Sequence, residues 1–205
     1  MLPKDRIQKL LQDIQDKKNE LASEYEKLSD RFREKYDFSF EKGRVRFSKK
    51  AKEYQKRFKT PLGIYVIPRS YRHILSIPFI YGMIIPTVIL DIFLFIYQQT
   101  ALRLYGIPLV KRRDYIIFER KHLSYLNMIQ KINCLYCSYV NGLFQYAVEV
   151  AGRTEKYWCP IKSARRKAGI HSWEEYFADF GDPEGFKKQF NCNKEFFQKK
   201  KNKSI

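Results

Sequence analysis

An all-α, membrane-associated architecture is predicted by three observations: an apolar block in a charge-dense chain, a heptad pattern near the N-terminus, and a long helical periodicity that carries cysteines. The expected order is a coiled-coil arm over residues 1–41, a basic juxtamembrane segment over 42–73, a membrane-embedded segment over 74–110, a cytosolic helical cysteine domain over 111–190 and a basic tail over 191–205.

The block at residues 74–110 contains two charged side chains, Asp91 and Arg103. Its strongest part, Ile77 to Tyr97, is long enough at about 1.5 Å per residue to cross a hydrocarbon core, and Asp91 is its only charge. Residues 1–73 carry 20 Lys/Arg against 11 Asp/Glu, and residues 111–205 carry 19 against 10, so both flanks are equally basic and the net charge is +18. Lysines and arginines favour the cytosolic side. The tie therefore favours a hydrophobic hairpin turning near Gly82 to Pro86, with both flanks in the cytosol; a single transmembrane helix kinked at Pro86 is the alternative. Asp91 costs at least about 2.5 kcal/mol at mid-membrane depth, so it is expected to face protein, water or the interface, paired with Arg103 or a tyrosine hydroxyl. One acid on one span makes no ion pathway.

Residues 42–72 hold 11 basic side chains against Glu53 alone. Lys49, Lys50, Lys52, Lys56, Arg57 and Lys59 suit anionic lipid headgroups, each nearby cation adding about 1 kcal/mol. The same stretch carries Phe47, Tyr54 and Phe58, but no recognition fold surrounds it, which disfavours nucleic acid as the partner. The N-terminus lacks the apolar region of a signal peptide, so the start of the chain is expected in the cytosol. A heptad seam runs through Ile7, Ile14, Leu21 and Leu28 with Leu11, Lys18, Tyr25 and Phe32. It points to homo-oligomerisation through residues 7–32, or to an amphipathic helix packing on the protein's own body, since Lys18 interrupts it.

Residues 121–155 keep helical periodicity, with Leu126, Ile129, Ile132, Tyr136, Val140, Leu143, Ala147 and Val150 on one face. Asn127, Cys134, Ser138, Asn141, Gln145 and Glu149 share the other, with Cys137 at its border. Two thiols at i and i+3 away from an apolar face suit metal chelation or a redox couple better than packing. In KYWCPIKSARRKAG, Pro160 reads as a first helical residue, Gly169 as a helix end and Cys159 as the N-cap. There the helix dipole, Lys162, Arg165 and Arg166 would favour a thiolate. Cys134, Cys137 and Cys159 are thus candidate ligands for zinc or iron, with Cys192, His171, His122 or Glu149 as the fourth; Cys192 lies in the basic tail and reads as incidental. In a reducing cytosol the thiols stay free. A turn at Ala151 and Gly152 would bring Cys159 back to the other two.

The stretches SIPFIYGMIIPTVILDIF, YGIPLVKRRDYIIFER and YLNMIQKINCLYCSYVNGLFQYAVEVAGRTEKYWCPIKSARR resemble an uncharacterised family of small bacterial membrane proteins with the signature NC-x-YC-x-Y-x-NG followed by RTE-x-YWCPIK. The resemblance covers about residues 72–166 and implies membrane association without an assigned activity. A histidine commonly follows CPIK in that pattern; Ser163 stands there in this chain, removing a ligand beside Cys159.

Ser172 and Glu175 form a capping box ahead of a short helix, SWEEYFADF, which Gly181, Asp182 and Pro183 end before another begins. The final KKKNKSI is expected to be disordered. Phosphate loops, HExxH motifs and nucleophile elbows are absent. The leading expectation is a non-catalytic, membrane-anchored binding or scaffold protein; the rival is a membrane-tethered thiol redox enzyme using Cys159, with Cys134 or Cys137 resolving.

Overall fold

The computed structural model describes residues 4–41, 44–63, 71–165 and 167–202. Among the described residues the chain is mostly helical, with one small sheet, and it divides into two compact units: Met1–Leu62 with Glu119–Asn127, and Gly63–Phe118 with Met128–Ile205.

In the first unit, α1 (Lys4–Tyr36) is a single long helix followed by β1 (Phe38–Glu41) and β2 (Arg44–Phe47), which pair antiparallel with Phe38 opposite Phe47. The all-α expectation overlooked this hairpin, although F-S-F-E and R-V-R-F alternate at the period of a strand. Asp37 ends α1 in a left-handed conformation (φ 50°), which an aspartate tolerates. Its carbonyl accepts from the Ser48 amide at 3.2 Å, and its carboxylate accepts from the Ser48 hydroxyl. Ser48 also caps α2 (Lys49–Lys56), accepting from the Ala51 amide at 3.0 Å. Phe38 packs edge-on against Phe32 and Phe40, forming an aromatic cluster at the base of α1. Gln55 accepts from the Ser124 amide at 2.9 Å and so ties residues 119–127 to α2.

The second unit is built on α3 (Tyr71–Gly82), α4 (Ile84–Tyr97) with a π-helical turn Gln98–Leu102, α5 (Met128–Trp158) and α6 (Pro183–Asn202). The predicted reversal near Gly82 to Pro86 does not occur. Only Met83 leaves the helical pattern, and its backbone stays right-handed, so Leu75–Leu102 runs on as a helix of 28 residues. Pro86 sits in the first turn of α4, where a missing N–H is tolerated, and Thr87 reaches back with both its amide and its hydroxyl to the Met83 carbonyl, at 3.3 and 2.6 Å.

From Leu102 the chain returns along its own helix as a crossover over residues 107–118, with a 3-10 turn at Arg112–Asp114, and α5 follows after residues 119–127 of the first unit. Tyr81 pairs with Asn133, Asp91 with Tyr139, and Gln98 with Tyr146, so α4 and α5 run in the same direction. One core cluster, Val110, Ile116, Leu143, Tyr146 and Val150, joins α5 to the crossover; Leu90, Leu94 and Tyr97 pack onto it. A second, Leu102, Ile107 and Phe197, docks α6. The helix expected to begin at Pro183 forms, started by Asp182 accepting from the Gly185 amide at 2.9 Å and held by buried Phe197, and it runs on through Asn202, so residues 199–202 of the tail expected to be disordered are helical. Residues 203–205 lie outside the described residues.

α5 begins at Met128 rather than near residue 121, and it does not turn at Ala151 and Gly152. Gly152 is a helical position on which the His171 and Trp173 rings rest, and its missing Cβ makes room for them. Of the predicted apolar face, Leu143 and Val150 are buried, while Ile132 is exposed. The helix expected after Pro160 is replaced by a single parallel bridge, Ile161 to Ala178, and SWEEYFADF holds only a short 3-10 turn, Glu174–Tyr176.

A Cβ on Gly142 would lie 2.6 Å from the Tyr115 carbonyl oxygen, whereas one on Gly82 meets nothing within 4 Å. Gly142→Ala is therefore expected to destabilise the protein by about 1–3 kcal/mol through overpacking against backbone. Gly82→Ala should stabilise it by up to about 1 kcal/mol. Unfolding of both variants in mild detergent checks the contrast.

Candidate functional site

Along Ile84 to Gln98 the helix is amphipathic in the inverse sense. Thr87, Leu90, Asp91, Leu94, Tyr97 and Gln98, spaced by three and four residues, face the protein; Thr87 is 2 % and Gln98 4 % exposed. The opposite arc carries Ile85, Val88, Ile89, Ile92, Phe93 and Ile96, all exposed. Each polar residue of the stretch thus points inward, with Leu90 and Leu94 beside them, while the outward arc is wholly apolar, the reverse of a helix on a water-soluble domain. Of the most apolar 18-residue window in Leu75–Leu102, 6 % is buried inside the protein. This helix, one candidate span among the described residues, is long and apolar enough to cross a membrane.

A polar spine fills the inward side. The Arg112 guanidinium grips Asp91 with two hydrogen bonds, Nε to Oδ1 at 3.0 Å and Nη2 to Oδ2 at 2.6 Å, and Tyr139 donates to Oδ2 at 2.9 Å. The Asp91 carboxylate is largely covered, whereas Arg112 stays half-exposed. The hydrogen bond to Asp91 holds the guanidinium above its ordinary pKa despite some desolvation. Burial pushes the Tyr139 hydroxyl up and its bond to Asp91 pushes it further, so at neutral pH it remains a donor. One helical repeat on, the Gln98 amide donates to the Tyr146 hydroxyl and its carbonyl accepts from the Val110 amide at 2.7 Å. Burial raises Tyr146 as well.

The far end of α5 closes the spine. Arg153 donates to the crossover carbonyls of Pro108 and Leu109 at 2.7 and 3.2 Å and to Glu149 at 2.8 Å. Trp173 donates to Glu149 at 3.2 Å, Tyr97 and Thr154 share a hydrogen bond at 3.0 Å, and His171 contacts Glu155 at 2.7 Å. Arg153, Thr154 and Glu155 of the RTE motif therefore have structural partners on three different segments.

The cysteines are not brought together. Cys134 and Cys137 lie in the first half of α5, half-buried and exposed, and Cys159 directly follows its last turn. A continuous helix puts 25 residues at about 37 Å. The Cys159 amide donates to the Glu155 carbonyl at 2.8 Å, so this residue meets a helix C-terminus and the negative end of the dipole, not the N-cap predicted from Pro160. Cys192 is exposed on α6. Glu149 and His171, named as fourth ligands, are occupied as described. Among the described residues no group of three or more His, Cys, Asp or Glu side chains is placed to hold a metal, so zinc or iron finds no support in this geometry. Lys49, Lys50, Lys52 and Lys56 on α2, with Arg57 and Lys59 after it, are all exposed in the first unit.

No family model, curated protein or solved structure matches this chain. The resemblance to small bacterial membrane proteins thus rests on its residues alone.

Asp91 was singled out from sequence with a tyrosine hydroxyl or Arg103 as partner; the tyrosine is Tyr139, while the cation is Arg112 and Arg103 is exposed. Gln98, Tyr146 and Arg153 were missed, since each acts through the crossover, whose course has no periodic signal. Asp91→Ala and Arg112→Ala are each expected to destabilise the protein by about 1–3 kcal/mol. Because the two groups share one interaction, the double variant should fall short of the sum by about 1 kcal/mol in denaturant unfolding. Cys134→Ser and Cys159→Ser, by contrast, should add within about 0.5 kcal/mol, as distant sites do.

Proposed function

We propose that this protein is a membrane-anchored, non-catalytic scaffold, held to the bilayer by the outward face of the Leu75–Leu102 helix. The observation that carries the reading is the inverse amphipathicity of that helix. Burying Thr87, Asp91 and Gln98 while exposing Ile85, Val88, Ile89, Ile92, Phe93 and Ile96 is unfavourable in water, since each large apolar side chain left exposed forgoes about 1.5–3 kcal/mol. In hydrocarbon the same arrangement is the favoured one, because lipid solvates the outer face and the inner polar groups find partners within the protein. The resemblance to small bacterial membrane proteins agrees with this reading and favours the inner membrane, with the remaining regions on its cytoplasmic side.

The first unit supplies the scaffold's binding surfaces. Leu21, Tyr25, Leu28 and Phe32 form an exposed stripe on α1 at heptad spacing, the surface through which a second copy would associate. Ile7, Leu11 and Ile14, the N-terminal part of the same seam, lie outside the residues whose side chains are described. The exposed cations Lys49, Lys50, Lys52, Lys56, Arg57 and Lys59 suit anionic headgroups and add to the anchor. The redox alternative requires Cys159 to exchange with Cys134 or Cys137 within one chain, and the intervening helix keeps them about 37 and about 33 Å apart.

Washing membranes of expressing cells with alkaline carbonate tests the anchor. The wild-type chain should stay in the pellet, and so should a variant with the six cations replaced by glutamine. Ile89→Lys combined with Phe93→Lys should shift much of the protein to the supernatant, since each lysine costs about 2 kcal/mol or more in the apolar layer. Release of the wild type would mean that the helix is not membrane-embedded.

A further inference from the structure

The Asp91–Arg112 pair lies close to the middle of the 28-residue apolar helix. By gripping Asp91, Arg112 pins the crossover segment Lys111–Asp114 at the same level. Its neighbours are wet: Arg113 has 82 % of its side chain exposed and Asp114 60 %, with 3.9 Å between them, and Lys111 is exposed as well. If the helix stood upright across a bilayer, this charged segment would sit near the midplane, about 15 Å from either surface in a core about 30 Å thick. That is farther than a lysine or arginine side chain extends. Exposed charges at that depth would face lipid, and the loose Arg113–Asp114 ion pair, 3.9 Å long, leaves both side chains largely uncovered.

Laid in the plane of the membrane, the same unit has no such conflict. Asp91, Arg112 and the crossover pack on the inward side of α4, and the arc of Ile85, Val88, Ile89, Ile92, Phe93 and Ile96 points the other way. Interfacial helices bury one apolar face about 5–10 Å into the boundary between headgroups and acyl chains and keep their polar side in water. Lys111, Arg112 and Arg113 then come up among the headgroups, where cations are favoured by anionic lipid.

We propose that the Leu75–Leu102 helix is monotopic: it lies within one leaflet of an anionic bilayer, its outward arc in the acyl chains and Lys111–Asp114 at the headgroups of the same leaflet. The proposal rests on the membrane-anchor reading above and names the geometry of that anchor. It also answers the tie in flanking charge, because both ends of the helix stay on one side without the chain reversing.

Sealed membrane vesicles from expressing cells, treated with a membrane-impermeant maleimide, provide the test. Full-length chains with the four native cysteines changed to serine would each carry one new cysteine: Tyr71→Cys before the apolar stretch, Leu104→Cys after it, Arg113→Cys on the crossover, or Ile89→Cys on the outward arc. All four positions are exposed on the protein itself. A helix within one leaflet predicts that Tyr71→Cys, Leu104→Cys and Arg113→Cys label from the same face, and that Ile89→Cys labels only after detergent is added. Labelling of Tyr71→Cys and Leu104→Cys from opposite faces would overturn the proposal in favour of a span, as would protection of Arg113→Cys from both faces. If Ile89→Cys labels without detergent and carbonate releases the protein, the anchor reading itself fails and this geometry with it. Retention of the cysteine-free parent chain in the carbonate pellet, as for the wild type, guards against a fold altered by the serines.

Discussion

The Arg112 grip on Asp91 is the contact on which the second unit depends. It joins residues 21 apart in sequence, and between them the chain leaves the apolar helix, reverses and returns along its flank. An acid on an apolar helix needs a partner from elsewhere in the protein. Supplying that partner from the crossover places Val110 and Ile116 against Leu143 and Val150, and Gln98 against Tyr146 and the Val110 amide. The paired geometry, closed by the Tyr139 hydroxyl, leaves the carboxylate with three hydrogen bonds and makes removal of either charge costly to the other.

Close approach of backbone completes the arrangement. Gly142 lets the crossover at Tyr115 and Ile116 pass directly over α5, and Gly152 gives the His171 and Trp173 rings a flat seat on the same helix. Arg153, Thr154 and Glu155 then fasten α5 to the crossover, to Tyr97 and to His171. Gly142 of the NG motif and the three residues of the RTE motif are thereby accounted for as joints of a small unit with little apolar core, one that leaves its largest apolar surface to its surroundings.

Much of this was legible in the residues. The apolar block, the long α1, the helix starting at Pro183 and the anomaly of Asp91 all follow from periodicity, length and capping signals that act locally. Pro86 misled because a proline near the start of a helix and a proline at a turn look alike in sequence; Met83 absorbs the break without a reversal. Cys159 misled for a similar reason. A proline one residue after a helix end and a proline one residue into a helix read the same, and the choice was settled by residues 151–158 continuing α5, held by Arg153, Thr154 and Glu155. The hairpin at 38–47 lay in a stretch whose charges drew the reading toward lipid rather than toward its alternation. Arg112 as the partner of Asp91 was out of reach, since the pair depends on the path of an aperiodic segment.

Spin labels placed singly at residues 85–98 of the full-length protein in anionic bilayers, scanned for collisions with oxygen and with a water-soluble nickel chelate, measure most directly whether the outward arc meets lipid. Labels at 85, 88, 89, 92, 93 and 96 should show high oxygen and low nickel accessibility, and those at 87, 94 and 98 should be low for both, giving an oscillation with the period of the helix. Nickel accessibility at 89 and 93 matching that of a label at 113 would place the arc in water and contradict the account.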